Sequence, residues 1–404
     1  MADLLPECLI QKILCLISFK EATKMSILSK TWLQAWSTLP NLEFFVNCWR
    51  GWEALINIVD TTMERYVKRK IPIQKFELSE IFADSPQLFP LIDKWLLIAL
   101  QNGVKQLVLH FTAYPAPILT ILTAKSLGEL VLHDCTLMPV SLTSRVVSCN
   151  SLRKISLSYV TLDENMLQTL LNSCPFIVSF ILEYCSGLTM KLIKIKSDSL
   201  KVLKIHQYCG IWEIDAPDLV SLDYTGNEIP ELNIVRESSQ LENSKIILHC
   251  ISRLNTEWFC KLRKFLSNSS SWSEVSLCLL KCDEINMTDL QMDHIGSSGG
   301  VDVLNLNMLL MDEIIECPTF VDALLWSCHP GRLNLISIDI ETVTRFIDRL
   351  MYMKNLSHST SHASTPWNSQ LKDVKAFDRK NQLLQLGSEE LAKRIMETYF
   401  ILDW

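Results

Sequence analysis

Two amphipathic patterns occupy the beginning of the chain. After Pro6, large apolar residues recur every three or four positions as far as Ile17, which predicts a helix with a broad apolar face. A similar spacing runs from Ala22 to Trp36 and predicts a second helix that stops before Pro40. Two short helices cannot bury this many large side chains against each other, so the pattern indicates a further surface that covers them.

Two more helical patterns follow, over 52–66 and 88–99, and then a periodic signal begins. Each copy has apolar residues at its first, fourth and sixth positions, as in Leu127, Leu130 and Leu132. The middle residues of the copies lie 19 to 32 positions apart, and their mean spacing of 26 lies within the range of leucine-rich repeats. These middle residues are Phe76, Leu107, Leu130, Ile155, Phe180, Leu203, Leu222, Ile246, Val275, Leu304 and Ile336.

Stacked repeats of this kind predict an α/β fold: a curved parallel sheet, with helices or irregular segments on its convex side. Each strand has an apolar side that becomes buried only when neighbouring repeats stack on it. The alternative, unrelated short strands of an ordinary α/β domain, is disfavoured by the number of evenly spaced copies.

The first pattern resembles the F-box of plant proteins. The matching residues are Leu5-Pro6-Glu7, Ile13-Leu14, Lys20-Glu21-Ala22, Ser26-Ile27-Leu28-Ser29-Lys30, Trp32 and Trp36. The match runs without a gap from Leu5 to Trp36, although Ser18 stands where the family usually has proline. A second stretch resembles the start of the repeat region in plant F-box/leucine-rich-repeat proteins. It comprises Trp95-Leu96, Ala99, Gly103-Val104-Lys105 and Leu107.

The resemblance implies that the N-terminal helices dock onto the small adaptor subunit of a cullin-RING (SCF-type) ubiquitin ligase. It assigns the docking contacts to Leu5, Pro6, Ile13, Leu14, Leu28, Ser29 and Trp32. The alternative is that the helices only cap the domain that follows. The predicted organisation is an F-box (1–45), a helical connector (46–72), a leucine-rich-repeat array (73–345), a flexible linker (346–366) and a C-terminal capping segment (367–404).

Composition and charge narrow the function classes. Hydrophobic residues make up 48% of the 404-residue chain, which excludes a disordered protein. The net charge of −7 has the wrong sign for a protein that binds phosphates, so we expect no nucleic-acid partner. No apolar run is long enough to span a membrane, and polar residues interrupt the N-terminal segment. We therefore expect a cytoplasmic or nuclear protein without a membrane partner, with its 14 cysteines mostly buried thiols.

No motif predicts catalysis. The pattern G-x-S-x-G at 296–300 precedes a strand instead of following one, so a loop is the expected structure. His358 and His362 lie in a Ser- and Thr-rich stretch without helical patterning, and no C-x-x-C pair exists. The sequence therefore predicts no enzyme, no cofactor and no metal site.

An F-box joined to a repeat array predicts an adaptor that holds a ligase at one end and a protein substrate at the other. The alternatives are a scaffold that acts outside a ligase and a small-molecule-dependent receptor. Side chains between the last two apolar residues of each repeat should point to the concave face. The predicted row is Val131, Ser156, Ile181, Lys204, Asp223, Ser276, Asn305 and Ser337. Within it, Ile181, Lys204 and Asp223 are the predicted substrate contacts.

Overall fold

The structure is a computed structural model of the 404-residue chain. It describes residues 5–47, 52–81, 86–137, 148–188, 193–206, 211–234, 241–250, 254–279, 282–292, 300–308, 319–337, 339–357, 370–385 and 387–404. The chain divides into two compact units, Met1–Lys191 and Leu192–Trp404.

The N-terminal unit contains helices α1–α7 and strands β1–β8. The helices are Glu7–Leu14, Phe19–Met25, Lys30–Trp36, Trp52–Arg69, Phe89–Gln101, Ile118–Leu122 and Glu164–Ser173. The strands are Asn41–Asn47, Lys75–Ile81, Gln106–His110, Pro115–Ala116, Glu129–His133, Thr136–Leu137, Lys154–Ser158 and Ser179–Glu183.

Six of these strands form a parallel sheet in the order β1-β2-β3-β5-β7-β8. The register places Phe76 opposite Leu107, then Leu130, Ile155 and Phe180, which confirms the predicted repeat positions. Strand β1 is an addition. It pairs with β2 along its whole length, so the sheet begins before the predicted start of the array at residue 73.

The interior of the repeats is apolar, and cysteine closes the turns after two of the strands. Cys135 and Cys185 are buried, and each thiol donates a hydrogen bond to a carbonyl of the preceding repeat. Burial raises the pKa of Cys135 to about 12, so this thiol stays protonated and can donate. Four further described cysteines are also buried, as expected for small apolar residues: Cys149, Cys174, Cys250 and Cys328.

The second predicted helix is two helices, because serine residues interrupt the pattern. Ser29 adopts an extended backbone, and its hydroxyl accepts a hydrogen bond from the Trp32 N–H, which starts α3. Ser18 starts α2 in the same way, through a capping box with Glu21. Ser18 therefore begins this helix at the position where the family usually has proline.

The C-terminal unit contains helices α8–α12 and strands β9–β20. The helices are Thr256–Leu266, Met287–Met292, Phe320–Cys328, Ile340–Ser357 and Ser388–Lys393. The strands are Ile193–Lys196, Val202–His206, Ile211–Asp215, Ser221–Gly226, Glu231–Asn233, Asn243–Cys250, Ser271–Leu279, Gly300–Asn307, Pro330–Ile336, Asp373–Asp378, Leu383–Leu384 and Thr398–Asp403.

Its larger sheet runs in the order β10-β12-β14-β15-β16-β17 with parallel pairing, and β20, β18 and β19 then continue it antiparallel. Strand β20 pairs with β17, so the predicted capping segment covers the last repeat strand. Strands β13, β11 and β9 form a separate parallel sheet.

Three predictions in this unit are wrong in detail. The register aligns Leu304 with Leu333, so Leu333 and not Ile336 is the middle residue of the last repeat. Helix α11 extends to Ser357 and covers the first part of the predicted linker. The spacing of Leu391, Ile395, Tyr399 and Leu402 predicts one helix from Ser388 onward, but α12 ends at Lys393 and Thr398–Asp403 is a strand because it completes the sheet beside β17.

Some predicted features lie outside the described residues. They are the remainder of the linker with His358 and His362, and most of the glycine- and serine-rich segment at 296–300. In the parts of the chain that the structure does describe, every helix is too short or too polar to cross a bilayer.

Candidate protein-interaction surfaces

The helices α1–α3 share a small core of their own. It consists of Ile10, Leu14, Ala22, Trp32, Ala35 and Leu39. The Gln11 side-chain amide donates a hydrogen bond of 2.7 Å to the Thr38 carbonyl and joins α1 to the end of α3. The three helices therefore form a packed unit before any partner binds.

A line of large apolar side chains remains exposed on one side of α1. Leu9 and Ile13 lie on the helix, and Leu5 and Leu16 flank it, all three or four positions apart. Leu16 is 86% exposed, whereas Leu14 on the buried side is 1% exposed. We call Leu5, Leu9, Ile13 and Leu16 the α1 stripe. Helix α1 therefore has one apolar side buried in the three-helix core and a second apolar side that is exposed.

A second exposed apolar group lies at the turn between α2 and α3. Ile27 is 85% exposed, and Leu28 and Leu33 are about half exposed. Burial of a leucine or isoleucine side chain is favourable compared with its exposure to water. Contiguous exposed apolar surface of this kind marks binding sites.

The three helices pack on the array through other side chains. The Phe19 ring meets the Phe44 ring of β1 edge to face, with centroids 5.5 Å apart. The Tyr66 hydroxyl of α4 donates a hydrogen bond to the Leu39 carbonyl, and the Arg65 guanidinium lies 5.4 Å from the Trp36 ring centroid. The helices thus cap the sheet, as one alternative expected, and they still leave the α1 stripe exposed.

The structure divides the predicted docking residues into three groups by their exposure. Leu5, Pro6, Ile13 and Leu28 are exposed and available to a partner. Ser29 is half-buried as the cap of α3. Leu14 and Trp32 are buried in the three-helix core. The prediction that these two residues contact the partner directly is therefore corrected: they pack beneath the exposed side chains. Leu9, Leu16 and Ile27 were missed, because spacing alone does not tell which apolar side of a helix stays exposed.

The substrate residues predicted in the array lie on the outward side of their strands. Ile181 is half-buried at the centre of β8, level with Ser156 on β7. In the C-terminal unit, Lys204 and Asp223 are register partners on β10 and β12, and Asp223 accepts a hydrogen bond of 3.1 Å from His206. Each residue is on the predicted side of its strand, and substrate contact by these residues stays a prediction.

The predicted outward row is not straight throughout the C-terminal unit. Asp223 is level with Lys245 and then Glu274, whereas Ser276 is level with Ile247, because the pattern shifts by two residues between β12 and β14. The last member of the row is Asn334. Ser337 follows β17 and is buried.

A row at the ends of the strands in the N-terminal unit was missed. His110, His133, Ser158 and Glu183 occupy equivalent last positions of β3, β5, β7 and β8. The next residues include Asp134, Tyr159 and Tyr184, which have φ angles of 57°, 55° and 50°.

The left-handed backbone is costly for tyrosine, yet Tyr159 and Tyr184 are exposed and stack with ring centroids 5.4 Å apart. The repeat spacing could have revealed this row, because His110 and His133 are 23 residues apart, as are Leu107 and Leu130.

A cavity of about 670 Å³ lies in the C-terminal unit between β13 and α8. Its lining includes Glu228, Glu231 and Glu257 together with Lys261 and Lys264. Three acidic and two basic side chains give this lining a mixed charge, and the small-molecule-dependent receptor stays an alternative.

Comparison with known proteins follows the same division of the chain. Residues 3–44 match the F-box domain family, and residues 63–268, half of the chain, match the family described as At1g61320/AtMIF1, LRR domain. No solved structure matches the chain.

Several similar proteins come from Arabidopsis thaliana. Putative F-box protein At1g49610 is 34% identical over 226 residues, which cover 54% of this chain and 54% of the relative. F-box/FBD/LRR-repeat protein At1g13570 is 28% identical over 54% of this chain and 52% of its own length. F-box/LRR-repeat protein At3g26922 is 25% identical over 68% of this chain and 88% of its own length. The chain thus spans about half the length of the first two relatives.

An N-terminal three-helix F-box followed by leucine-rich repeats defines the class of F-box/leucine-rich-repeat proteins. The chain belongs to the plant family of this class.

Proposed function

We propose that the chain is a substrate-recognition adaptor of an SCF-type ubiquitin ligase. In this proposal α1–α3 bind the small adaptor subunit and, through it, a cullin, while the repeats bind a protein substrate. The observation that supports it best is the α1 stripe: four large apolar side chains exposed on a packed helical unit.

Burial of this surface by a partner would contribute favourable free energy to docking. Full burial of one leucine or isoleucine side chain contributes roughly 1.5–3 kcal/mol. Leu16 and Ile27 are almost fully exposed, so a partner can recover most of this free energy from each. The core beneath them is already formed, which keeps the ordering cost of binding low.

The proposed role requires no covalent chemistry by this chain. A substrate held on the repeats would stay near the ubiquitin-charged enzyme of the ligase, which raises its effective concentration. The packing of Phe19 on Phe44 and of Tyr66 on Leu39 holds the F-box firmly on the first strand of the array. A firm junction favours this role because it limits the volume that the tethered substrate explores.

The outward rows of the strands are the proposed substrate surface. They carry Ile181 in the N-terminal unit and Lys204 and Asp223 in the C-terminal unit. Extended strand faces are the surfaces that repeat proteins generally use for partners. Two variants test the two units separately: Ile181→Glu, and the charge exchange Lys204→Glu/Asp223→Lys. For each variant, the set of captured proteins is compared with the set captured by wild type.

The ligase end can be tested by co-purification of the full chain with the adaptor subunit and the cullin. Ile13→Asp places a charge in the α1 stripe without removing a core residue, and it should abolish recovery of both partners. Leu97→Asp is the matched control, because Leu97 is an exposed leucine on α5 outside the F-box. Equal recovery with Ile13→Asp and Leu97→Asp would contradict the proposal.

A further inference from the structure

Three side chains with metal-binding groups meet at the ends of two neighbouring strands in the N-terminal unit. His110 ends β3 and His133 ends β5, and the two residues are register partners. Asp134 follows His133. Its Oδ2 atom lies 3.2 Å from His110 Nε2 and 3.0 Å from His133 Nδ1. One donor atom from each residue can be chosen so that all three lie within 4.8 Å of one another.

The backbone holds this cluster in place. The parallel register fixes the two histidines side by side, with ring centroids 3.9 Å apart. Asp134 has the left-handed backbone that aspartate tolerates better than most residues. Its N–H donates to the Ser158 carbonyl at 3.0 Å, and its own carbonyl accepts from the Ala113 N–H at 2.8 Å. The backbone of Asp134 is therefore held by the end of β7 on one side and by Ala113 on the other.

We propose that His110, His133 and Asp134 bind a divalent transition-metal ion, with Zn²⁺ as the best-suited ion. Two imidazoles and one carboxylate are a donor set that zinc accepts. Zinc–ligand bonds of about 2.0–2.1 Å place tetrahedral donors roughly 3.3 Å apart. Two of the three donor separations already have this length.

All three side chains are about one-third exposed, so the fourth position of the ion faces solvent and can take water or a donor from a partner. Without an ion, the same geometry is a carboxylate that bridges two imidazoles. The two possibilities differ in whether the folded chain takes up a metal.

The test uses the full chain, stripped of metal with a chelator and titrated with Co²⁺ and then with Zn²⁺. We expect one tightly bound Co²⁺ per chain, with the visible absorption of four-coordinate cobalt and without the near-ultraviolet band of cobalt–thiolate bonds. Zn²⁺ should displace it. His110→Gln and Asp134→Asn should each weaken binding at least about tenfold, since even changes to residues behind the ligands cost 10–100-fold.

His206→Gln is the matched control, because His206 also contacts an aspartate, Asp223, at 3.1 Å, but lies outside the cluster of His110, His133 and Asp134. It should bind Co²⁺ as wild type does. Circular dichroism checks that each variant is folded. If a histidine variant fails to fold, Asp134→Asn still tests the proposal, because asparagine also tolerates the left-handed backbone of this position. Absence of binding in wild type, a thiolate band, or equal affinity in Asp134→Asn would overturn the proposal.

Discussion

The F-box surface and the outward rows of the strands are both exposed, but they differ in what they expose. The F-box presents leucine and isoleucine side chains, such as Leu16 and Ile27. Many of the outward side chains of the strands are polar and contact one another. Lys75 lies 2.7 Å from both Glu43 and Glu77.

The C-terminal unit shows the same behaviour. The Asn334 amide donates to the Asn305 carbonyl at 2.6 Å, and the Asn305 amide donates to the Glu274 carboxylate at 2.9 Å.

This difference explains why the F-box surface indicates the kind of partner it binds, whereas the outward rows of the strands do not. Exposure of an apolar stripe to water is unfavourable, and a partner that covers the stripe removes this cost. Polar rows that satisfy one another are stable without a partner, so their composition says little about the substrate.

The largest effect is expected at Trp32, in the core beneath the exposed stripe. Trp32→Ala should lower the free energy of unfolding of the helical region by about 3–5 kcal/mol, because it removes a large buried side chain. Leu16→Ala should change it by less than about 0.5 kcal/mol, because Leu16 is 86% exposed. Hydrogen exchange of α1–α3 measures both. Similar losses of protection in the two variants would show that the stripe belongs to the core.

A smaller effect is expected at the exposed tyrosines, which separate stability from recognition. Tyr159→Asn relieves a left-handed backbone that costs tyrosine about 1–2 kcal/mol, and it removes a ring stack worth about 0.5–1.5 kcal/mol. The free energy of unfolding should therefore change by less than about 1 kcal/mol, as measured by urea denaturation.

Capture of substrate should nevertheless fall in Tyr159→Asn if this row takes part in recognition. Tyr352→Asn, at an exposed tyrosine on α11, is the control and should capture the same proteins as wild type. Unchanged capture by Tyr159→Asn would remove the tyrosine row from the candidate substrate surface.

The smallest effect is expected at Asp373, a surface carboxylate that contacts two lysines. Its hydrogen bond with Lys354, aided by Lys375, lowers the pKa of Asp373 to about 2. The folded-state pKa is below the unfolded value of about 3.9, so the contribution is present above pH 4 and is lost as the pH falls toward 2. Asp373→Asn should lower the free energy of unfolding by about 0.5–1 kcal/mol at pH 6.

The difference between wild type and Asp373→Asn should shrink at pH 3, as measured by urea denaturation at both pH values. The contribution is small because the side chains of Asp373 and Lys354 are about one-third exposed, which screens their attraction. A difference that is the same at pH 6 and pH 3 would mean that the lysines do not act through the charge of Asp373.

The sequence predicts the repeats well because each buried position recurs at a fixed place in the strand. Phe76 through Phe180 align as predicted, since the same apolar pattern recurs within each strand although the segments between the strands differ in length. Prediction was wrong where a neighbouring strand decides the structure. The helical spacing that begins at Leu391 continues through Tyr399 and Leu402, but Thr398–Asp403 forms a strand because it pairs with the free edge of β17.

The candidate sites show the same limit. Spacing identified α1 as amphipathic but did not distinguish Leu14, which is buried, from Leu16, which is exposed. His110 and His133 share the 23-residue spacing of Leu107 and Leu130, but their contact was not predicted because it depends on the register of β3 and β5. Local periodicity predicts elements, whereas a site depends on which elements become neighbours.

The central claim is that the α1 stripe binds the adaptor subunit of the ligase. The most direct test is the dissociation constant of the purified full chain for that subunit, for wild type and for Leu9→Ser/Leu16→Ser. Loss of two leucine contacts at about 1.5 kcal/mol each should weaken binding roughly 100-fold, with thermal stability unchanged. Binding within threefold of wild type by a folded double variant would contradict the account.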